Sequence, residues 1–463
     1  MLRSRYKDLP IAEIMAKRKL KNPIYLVILG YLMIIVLGTV LLSLPFSTQV
    51  PIRFIDALFT ATSAVCVTGL SVIDIRTVFS DTGLWILIFL MELGGLGIMT
   101  FSTALLLISG MRPGFNQQVM LQENFTQDGR IDSVKILWAV IPFTLLVEAC
   151  GAVIFFLKFS DLSLGTRILY AVFHSVSSFC NVGFSPWADS LTHFQFNPVM
   201  NITTCLLIIA GGFGFLAISE ARFLFNFKTR TIQRISLHTK IAFFCTLILI
   251  TVGTASILLM EWNSSALGST FIQKITSAAF ISISSRTAGF NSLSMISLGA
   301  GTLFLVAVLM FIGTNPGGCG GGIKTTTAAV IALLGFNRLL GREKTQVLGR
   351  TIPEETLEKA VRIFVVSIIL IAIFTIILLQ TEYSGIHYGS GNTPFLKVLF
   401  EVISAYATCG LSLGLTPELT DAGRLILCIV MFIGRLGALF LISAVIKKPN
   451  TGAWYAEENI MVG

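Results

Sequence analysis

Apolar runs of about 20 residues recur from near the N-terminus to near the C-terminus of this 463-residue chain, and that length matches a hydrocarbon core roughly 30 Å thick. The chain is 54% hydrophobic and 12% charged, where an average soluble domain is about 25% charged, and no stretch is left over for a soluble domain. The sequence therefore predicts an all-α polytopic membrane protein lying in a lipid bilayer. The run at roughly 23–45 is too long for a signal-peptide core and lacks a small-residue cleavage site, so it is expected to stay as a span.

The net charge of +9 is a topology signal rather than a nucleic-acid footprint. Lys and Arg gather before residue 22, at 111–135, at 221–240, at 336–362 and at Lys447 and Lys448. The positive-inside rule puts all five stretches, and both termini, in the cytoplasm. The eight cysteines stand singly with no CxxC pair, so neither a disulfide framework nor a zinc site is expected. His174, His193, His238 and His387 share no ligand spacing, and no nucleophile with a base partner can be assembled. An enzyme is not expected, nor a covalent cofactor.

Each interval between basic stretches must cross the membrane an even number of times, and two full spans fit each. They fall at roughly 23–45 and 84–109, 136–157 and 199–224, 241–260 and 297–335, and 362–380 and 423–446. Between the spans of each pair lies an external segment, at 52–70, 167–184, 272–290 and 395–411, too short for a span and too apolar for a solvated loop. The expected organisation is a cytoplasmic segment 1–22, repeats at 23–110, 111–224, 225–335 and 336–446, and a cytoplasmic tail 447–463.

Laid over one another on their glycines, the external segments read FTATSAVCVTGL ending at Leu70, FHSVSSFCNVGF at Phe184, AFISISSRTAGF at Phe290 and FEVISAYATCGL at Leu411. Phe59, Phe173 and Phe400 stand ten residues before the glycine, with Ala279 in the third copy. Glycine is common in membrane helices for close helix contact, but four copies in one topological position mean one unit used four times. Irregular backbone at membrane depth is tolerated only where it is buried in protein or lines a water-filled cavity. A short helix entering from outside, followed by an extended return, would aim its carbonyls at a common axis, and glycine adopts the angles this needs without a Cβ penalty. Four such returns form a ring of carbonyl oxygens able to replace the water around a dehydrated cation. The selectivity residues expected are Gly69, Gly183, Gly289 and Gly410, with the backbone of Val67, Thr68, Asn181, Val182, Thr287, Ala288, Thr408 and Cys409.

A fourfold helix, pore-loop, helix array with one glycine per loop resembles the Trk/Ktr/HKT superfamily of potassium transporters, from about Pro23 to Lys448. The compact N-terminus resembles the Ktr branch more than the longer TrkH proteins. The resemblance implies a K+-conducting subunit of the bacterial plasma membrane with K+ at the filter carbonyls, Na+ as a candidate activator, and one pore per protomer of a homodimer. It further implies a cytoplasmic, nucleotide-binding, KtrA-like RCK ring as partner, the nucleotide residing on that partner alone.

Small-residue motifs follow the loop glycines by 24 to 28 residues: ELGGLGIM at Gly94, AGGFGFLA at Gly211, FIGTNPGG at Gly313 and FIGRLGAL at Gly434. In the third copy the motif grows into GTNPGGCGGGIKTTT, residues 313–327, which a helix cannot continue cheaply, since glycine costs about 1 kcal/mol and proline about 3 relative to alanine. The spacing fails the phosphate-binding GxxxxGK[ST] pattern because Ile323 precedes Lys324. A flexible kink is one reading. The resemblance implies another, a mobile gating loop at 313–323 beneath the filter, with Gly313, Asn315, Pro316, Gly317, Gly318, Gly320, Gly321 and Gly322, then Lys324. Arg435 is read either as a buried pair with Glu92 or Glu401, or as a fixed cation under the filter acting with that loop. Arg286, three residues before Gly289, is expected to turn away from the axis into a pairing behind the loop. Asp56 and Glu401 are expected as caps, structural pairs or vestibule charges, and Glu148 and Glu220 as structural. The rival class is a coupled secondary K+/Na+ symporter with inverted repeats, but repeats that each begin and end inside are parallel.

Overall fold

The computed structural model describes residues 23–96, 133–220 apart from Leu216 and Ser219, 235–384 and 394–437. The segment 1–22, the far ends of the spans expected at 84–109 and 423–446, most of the basic stretches at 111–135 and 221–240, His387 and the tail 447–463 lie outside the described residues.

The chain repeats a long outer helix, a short re-entrant helix and an inner helix. The first repeat comprises α1 (Pro23–Ser43), α2 (Phe54–Val65), a single turn α3 (Ile75–Val78) and α4 (Asp81–Gly95). The second has α5 (Ser133–Lys158), α6 (Leu164–Phe179) and α7 (Pro198–Gly212). The third has α8 (Leu237–Met260), α9 (Phe271–Ser284) and an inner helix in two pieces, α10 (Ala300–Phe311) and α11 (Thr325–Leu339). After a small hairpin of β1 (Gln346–Val347) and β2 (Arg350–Thr351) come α12 (Glu354–Tyr383), α13 (Phe395–Ala407) and α14 (Asp421–Leu436).

Among the described residues, Val140–Lys158, Leu237–Met260 and Glu354–Tyr383 are long and apolar enough to cross a membrane. Their outward faces carry large exposed apolar side chains, such as Leu146 and Val153 on α5, Phe243 and Ile248 on α8, and Ile369 and Ile376 on α12. Such faces suit lipid, not water. The span expected at 362–380 is longer than its apolar run because Glu354 and Glu355 occupy the first turn, where carboxylates favour the helix dipole. The expected continuous span 297–335 is broken at 312–324 by the glycines.

The re-entrant helices run 12, 16, 14 and 13 residues, at 1.5 Å per residue too short to cross. They are buried along most of their length, and their hydroxyls fold back onto the helix, as when Thr60 Oγ1 donates to the Asp56 carbonyl at 2.8 Å and Ser178 Oγ to that of His174 at 2.6 Å. Inner helices begin at polar caps: Ser80 accepts from the Gly83 N–H, Asn197 from those of Val199 and Met200, and Thr420 from that of Gly423. Each such cap satisfies an otherwise orphaned donor.

The repeats close into a ring. Inner helix α4 packs on re-entrant helix α6 of the next repeat, α7 on α9, α10 on α13, and α14 returns to α2. At this last junction Arg424 pairs with Asp56 at 2.5 Å, both side chains buried, while Arg53 bridges Asp56 and Asp421 at 3.1 Å each.

Candidate functional site

The four glycine-bearing returns meet at the middle of this ring. Gly69, Gly183, Gly289 and Gly410 have φ of +85°, +86°, +75° and +97°, a region that a side chain rarely adopts. A methyl group on Gly69 would meet the Val182 carbonyl oxygen, one on Gly183 that of Ala288, one on Gly289 that of Cys409, and one on Gly410 that of Thr68. Each glycine thus faces the carbonyl just before the next glycine, in the same cyclic order as the helices. Two independent constraints therefore exclude a side chain, the backbone angle and the neighbouring carbonyl.

The carbonyls are aimed from behind. The N–H groups of Thr68, Val182, Ala288 and Cys409 donate to the carbonyls of Ser63, Ser177, Ser284 and Ser404 at 2.8, 2.9, 2.9 and 2.8 Å. In a trans peptide the N–H and C=O point opposite ways, so each N–H drawn back to its helix turns the carbonyl of the residue before it, Val67, Asn181, Thr287 or Thr408, away from that helix. The Ser177 and Ser284 hydroxyls also donate to the carbonyls of Phe184 and Phe290 at 2.7 and 2.6 Å, and the Ser404 hydroxyl accepts from the Gly410 N–H at 3.0 Å.

Val67, Asn181, Thr287 and Thr408, two residues before each glycine, also have positive φ, from +50° to +67°. In three copies the bonds are those of a Schellman helix end, for example Val67 N–H to the Ala64 carbonyl and Thr68 N–H to that of Ser63, a motif that ordinarily places glycine where Val67 stands. A β-branched residue there stores strain of about 1–3 kcal/mol, which persists only where the surroundings impose it. Asn181 is of a type that tolerates the left-handed turn, whereas Val67, Thr287 and Thr408 give no sign of it.

The third copy is one residue shorter. Ser177 lies six residues before Gly183, whereas Ser284 lies five before Gly289, and Phe280 rather than Ala279 is the buried aromatic matching Phe59, Phe173 and Phe400. Aligning on glycine alone misassigned that position, because the helix and not the glycine sets the register.

The interruption of the third inner helix packs against the third and fourth returns, at Thr287 and Thr408. Its ends are zipped by Gly313 N–H to the Ile323 carbonyl at 2.9 Å and Ile323 N–H to that of Phe311 at 3.2 Å. A methyl group on Gly313 would meet the Gly321 carbonyl, and one on Gly320 the Thr287 hydroxyl. The Gly321 N–H donates to Thr408 Oγ1 at 2.9 Å. On the second-repeat side, Asn315 and Cys319 N–H groups donate to the Gly212 and Gly211 carbonyls at 3.2 and 3.1 Å, Phe215 N–H to the Gly317 carbonyl at 3.1 Å, and Gly214 faces the Pro316 carbonyl. Gly318 stands against the Gly212 carbonyl, and Gly322 takes φ +66° beside Ala407. The Asn315 side chain ties the loop to Thr246, Thr325 and the Phe213 carbonyl. Lys324 Nζ donates to the Gly320 carbonyl at 2.5 Å.

Among the described residues, Arg435 has no carboxylate partner. Its guanidinium donates to the carbonyls of Cys319 in the loop and Gly94 in the first inner helix, which corrects the alternative of a pair with Glu92 or Glu401. The loop is thereby held by all four repeats. Glu401 instead accepts from Ser412 at 3.0 Å and from Thr416, behind the fourth return, and Glu220 accepts from the Ser236 N–H at 3.2 Å and hydroxyl at 2.9 Å. Glu148 and Glu92 converge on the Cys180 thiol, at 3.8 and 3.5 Å, a cluster whose members are too far apart in sequence to be paired by inspection. Arg286, expected in a pairing behind the loop, reaches Thr246 Oγ1 on outer helix α8 with its Nη2 at 3.5 Å, and among the described residues it forms no ion pair. Gly94, Gly211 and Gly434 let the inner helices approach the carbonyls of Val65, Phe179 and Tyr406 at the ends of the re-entrant helices.

Fold and site together define a polytopic α-helical membrane protein of four helix–loop–helix repeats around a central pore. A family model described as "Cation transport protein" (TrkH) matches residues 11–455. The chain belongs to this TrkH family of cation transport proteins, a family of transporters and not of enzymes. It is 34% identical to the Ktr system potassium uptake protein B of Bacillus subtilis, over 96% of this chain and 97% of that protein. It is 33% identical to the potassium/sodium uptake protein NtpJ of Enterococcus hirae, over 96% and 98%. The crystal structure of the potassium transporter TrkH from Vibrio parahaemolyticus superposes with a TM-score of 0.66 at 22% identity, covering 89% of this chain and 84% of that one, and shares the fold.

Proposed function

We propose that this chain is a K+ uptake subunit that conducts K+ inward through a four-loop selectivity filter, gated from the cytoplasmic side by an RCK ring protein. The observation that carries the reading is the closed cycle of four glycine–carbonyl contacts with the 313–323 loop packed against its third and fourth returns. A ring of fixed carbonyls replaces the hydration shell of a cation that enters it, and the relatives, a potassium uptake protein and a potassium/sodium uptake protein, support K+ as that cation. In this reading the filter is Val67–Gly69, Asn181–Gly183, Thr287–Gly289 and Thr408–Gly410. The gate is the loop with Lys324 and Arg435, and the guanidinium of Arg435 raises the barrier to a cation in transit.

The repeats are bounded at 23–110, 111–224, 225–335 and 336–446, with 1–22 and 447–463 in the cytoplasm of a bacterial cell. Two protomers form a homodimer, each with its own pore, and the cytoplasmic segments dock the ring. Na+ enters as an activator rather than as a stoichiometric partner. K+ flux into proteoliposomes at fixed voltage, with and without a Na+ gradient and with and without the ring protein, tests this. Voltage-driven flux that needs no Na+ gradient supports the channel-like reading; uptake driven by the Na+ gradient at zero voltage contradicts it and favours a symporter.

A further inference from the structure

On the glycine side of the one-residue offset, Arg286 and Cys180 hold the same place: each directly precedes the positive-φ residue of its return, Thr287 or Asn181. Each enters a crevice between the inner helix of the preceding repeat and the outer helix of its own. In the second repeat that crevice supplies Glu92, two residues before Gly94, and Glu148, whose carbonyl accepts from the Ser175 hydroxyl at 2.7 Å. In the third repeat the matching positions are Ile209, two residues before Gly211, and Ile250, whose carbonyl accepts from the Ser282 hydroxyl at 3.2 Å. The guanidinium thus occupies the one of these two crevices from which both carboxylates have been replaced by isoleucine.

Arg286 is 6% exposed, its Nε has no hydrogen-bond partner, and its bond to Thr246 is long. Among the described residues it makes no ion pair. Its side chain lines a cavity of about 10 Å³ together with Thr246, Thr314, Ile283, Gly212 and Phe213. Thr314 is 2% exposed and its hydroxyl also lacks a partner. A space of roughly 10–15 Å³ suffices for one water-sized particle with two to four polar contacts. A neutral water would leave the cation uncompensated, and an unpaired buried charge is strongly destabilising.

We infer that Arg286, Thr246 and Thr314 form a binding site for a small inorganic anion of halide size, chloride in the cell. The anion supplies the countercharge that Glu92 and Glu148 would have provided in the neighbouring crevice, and the two threonine hydroxyls complete its coordination. It touches the arm of the third filter return through Arg286 and the first turn of the loop through Thr314. An anion behind a cation-binding ring strengthens cation binding, and by reciprocity the cation strengthens anion binding. This consequence rests on the filter reading, whereas occupancy of the site by an anion does not.

The test uses the full-length chain purified in bromide. Anomalous scattering at the bromine edge is expected to show one peak within hydrogen-bond distance of Arg286 and Thr314. Arg286→Gln abolishes the peak, and so does Ile209→Glu, which returns a carboxylate to the crevice while keeping the guanidinium. K+ binding measured by calorimetry is expected to weaken about fivefold when chloride is exchanged for gluconate, and Ile209→Glu is expected to bind K+ equally in both salts. No bromide peak in the wild-type chain overturns the site. A peak with K+ affinity identical in both salts leaves the site standing and overturns its coupling to the filter.

Discussion

A methyl group on Gly410 would collide with the carbonyl oxygen of Thr68, so the last return lies directly against the first. The two belong to opposite ends of the chain, and no peptide connects them at this junction. Closure is non-covalent, made by this contact and by the Asp56–Arg424 pair just outside it.

Removing one member of that pair leaves a buried charge. Arg424 then keeps the Pro417 carbonyl at 3.3 Å and, among the described residues, one ion-pair partner, Asp421 at 3.7 Å, whose side chain is 60% exposed. Asp56→Asn is expected to destabilise the protein by about 3 kcal/mol, the lower end of the range for breaking a buried pair, read as a drop in Tm in detergent. The double variant Asp56→Leu with Arg424→Met, which removes both charges, is expected to recover most of the loss. A double variant no better than the single one would show that the pair itself, and not the orphaned charge, carries the stability.

Arg435 grips the loop through the Cys319 carbonyl while anchored on that of Gly94. Hydrogen bonds from a charged group are worth about 1.5–3 kcal/mol each, so Arg435→Gln is expected to release the loop and raise K+ flux without the ring protein by roughly tenfold. The check is flux into proteoliposomes at equal protein content. Unchanged flux would mean that the loop's remaining bonds, to Gly211, Gly212, Phe215, Thr246 and Thr408 among them, suffice to hold it.

Gly434 lies against the Tyr406 carbonyl, with no room for a side chain. Gly434→Leu overpacks the contact between the fourth inner and re-entrant helices, at an expected cost of about 1–3 kcal/mol. Thermal stability should fall while the K+ to Na+ preference of the surviving protein stays unchanged. A changed preference at full stability would place this glycine in the ion path.

The meeting of the four loop glycines was legible in the sequence because repetition raised four weak signals above the background of packing glycines. The loop was legible because six glycines and a proline cannot hide in a helix. Partners were not. Arg435 binds backbone carbonyls, which every residue carries, so no side chain marks them. The left-handed turns at Val67 and Thr408 are imposed by the surrounding ring against the preference of the residues themselves. The one-residue offset of the third return appears only once Ser284 is seen to hold the Ala288 N–H. Arg286 was seen to be out of place, but the loss of its countercharge shows only when its crevice is compared with that of Cys180.

The central claim is that the four glycines set a carbonyl ring that selects the cation. The most direct measurement is K+ and Na+ uptake by the wild-type chain, Gly69→Ser and Gly289→Ser in a bacterium lacking its own K+ uptake systems, at matched membrane abundance. Each serine must resist a positive φ and displace the carbonyl of Val182 or Cys409, a strain of about 1–3 kcal/mol. The account requires a loss of K+ affinity or of preference over Na+ of roughly tenfold in both variants. Uptake with unaltered affinity and preference in both would mean that these turns only pack, and that the ion passes elsewhere.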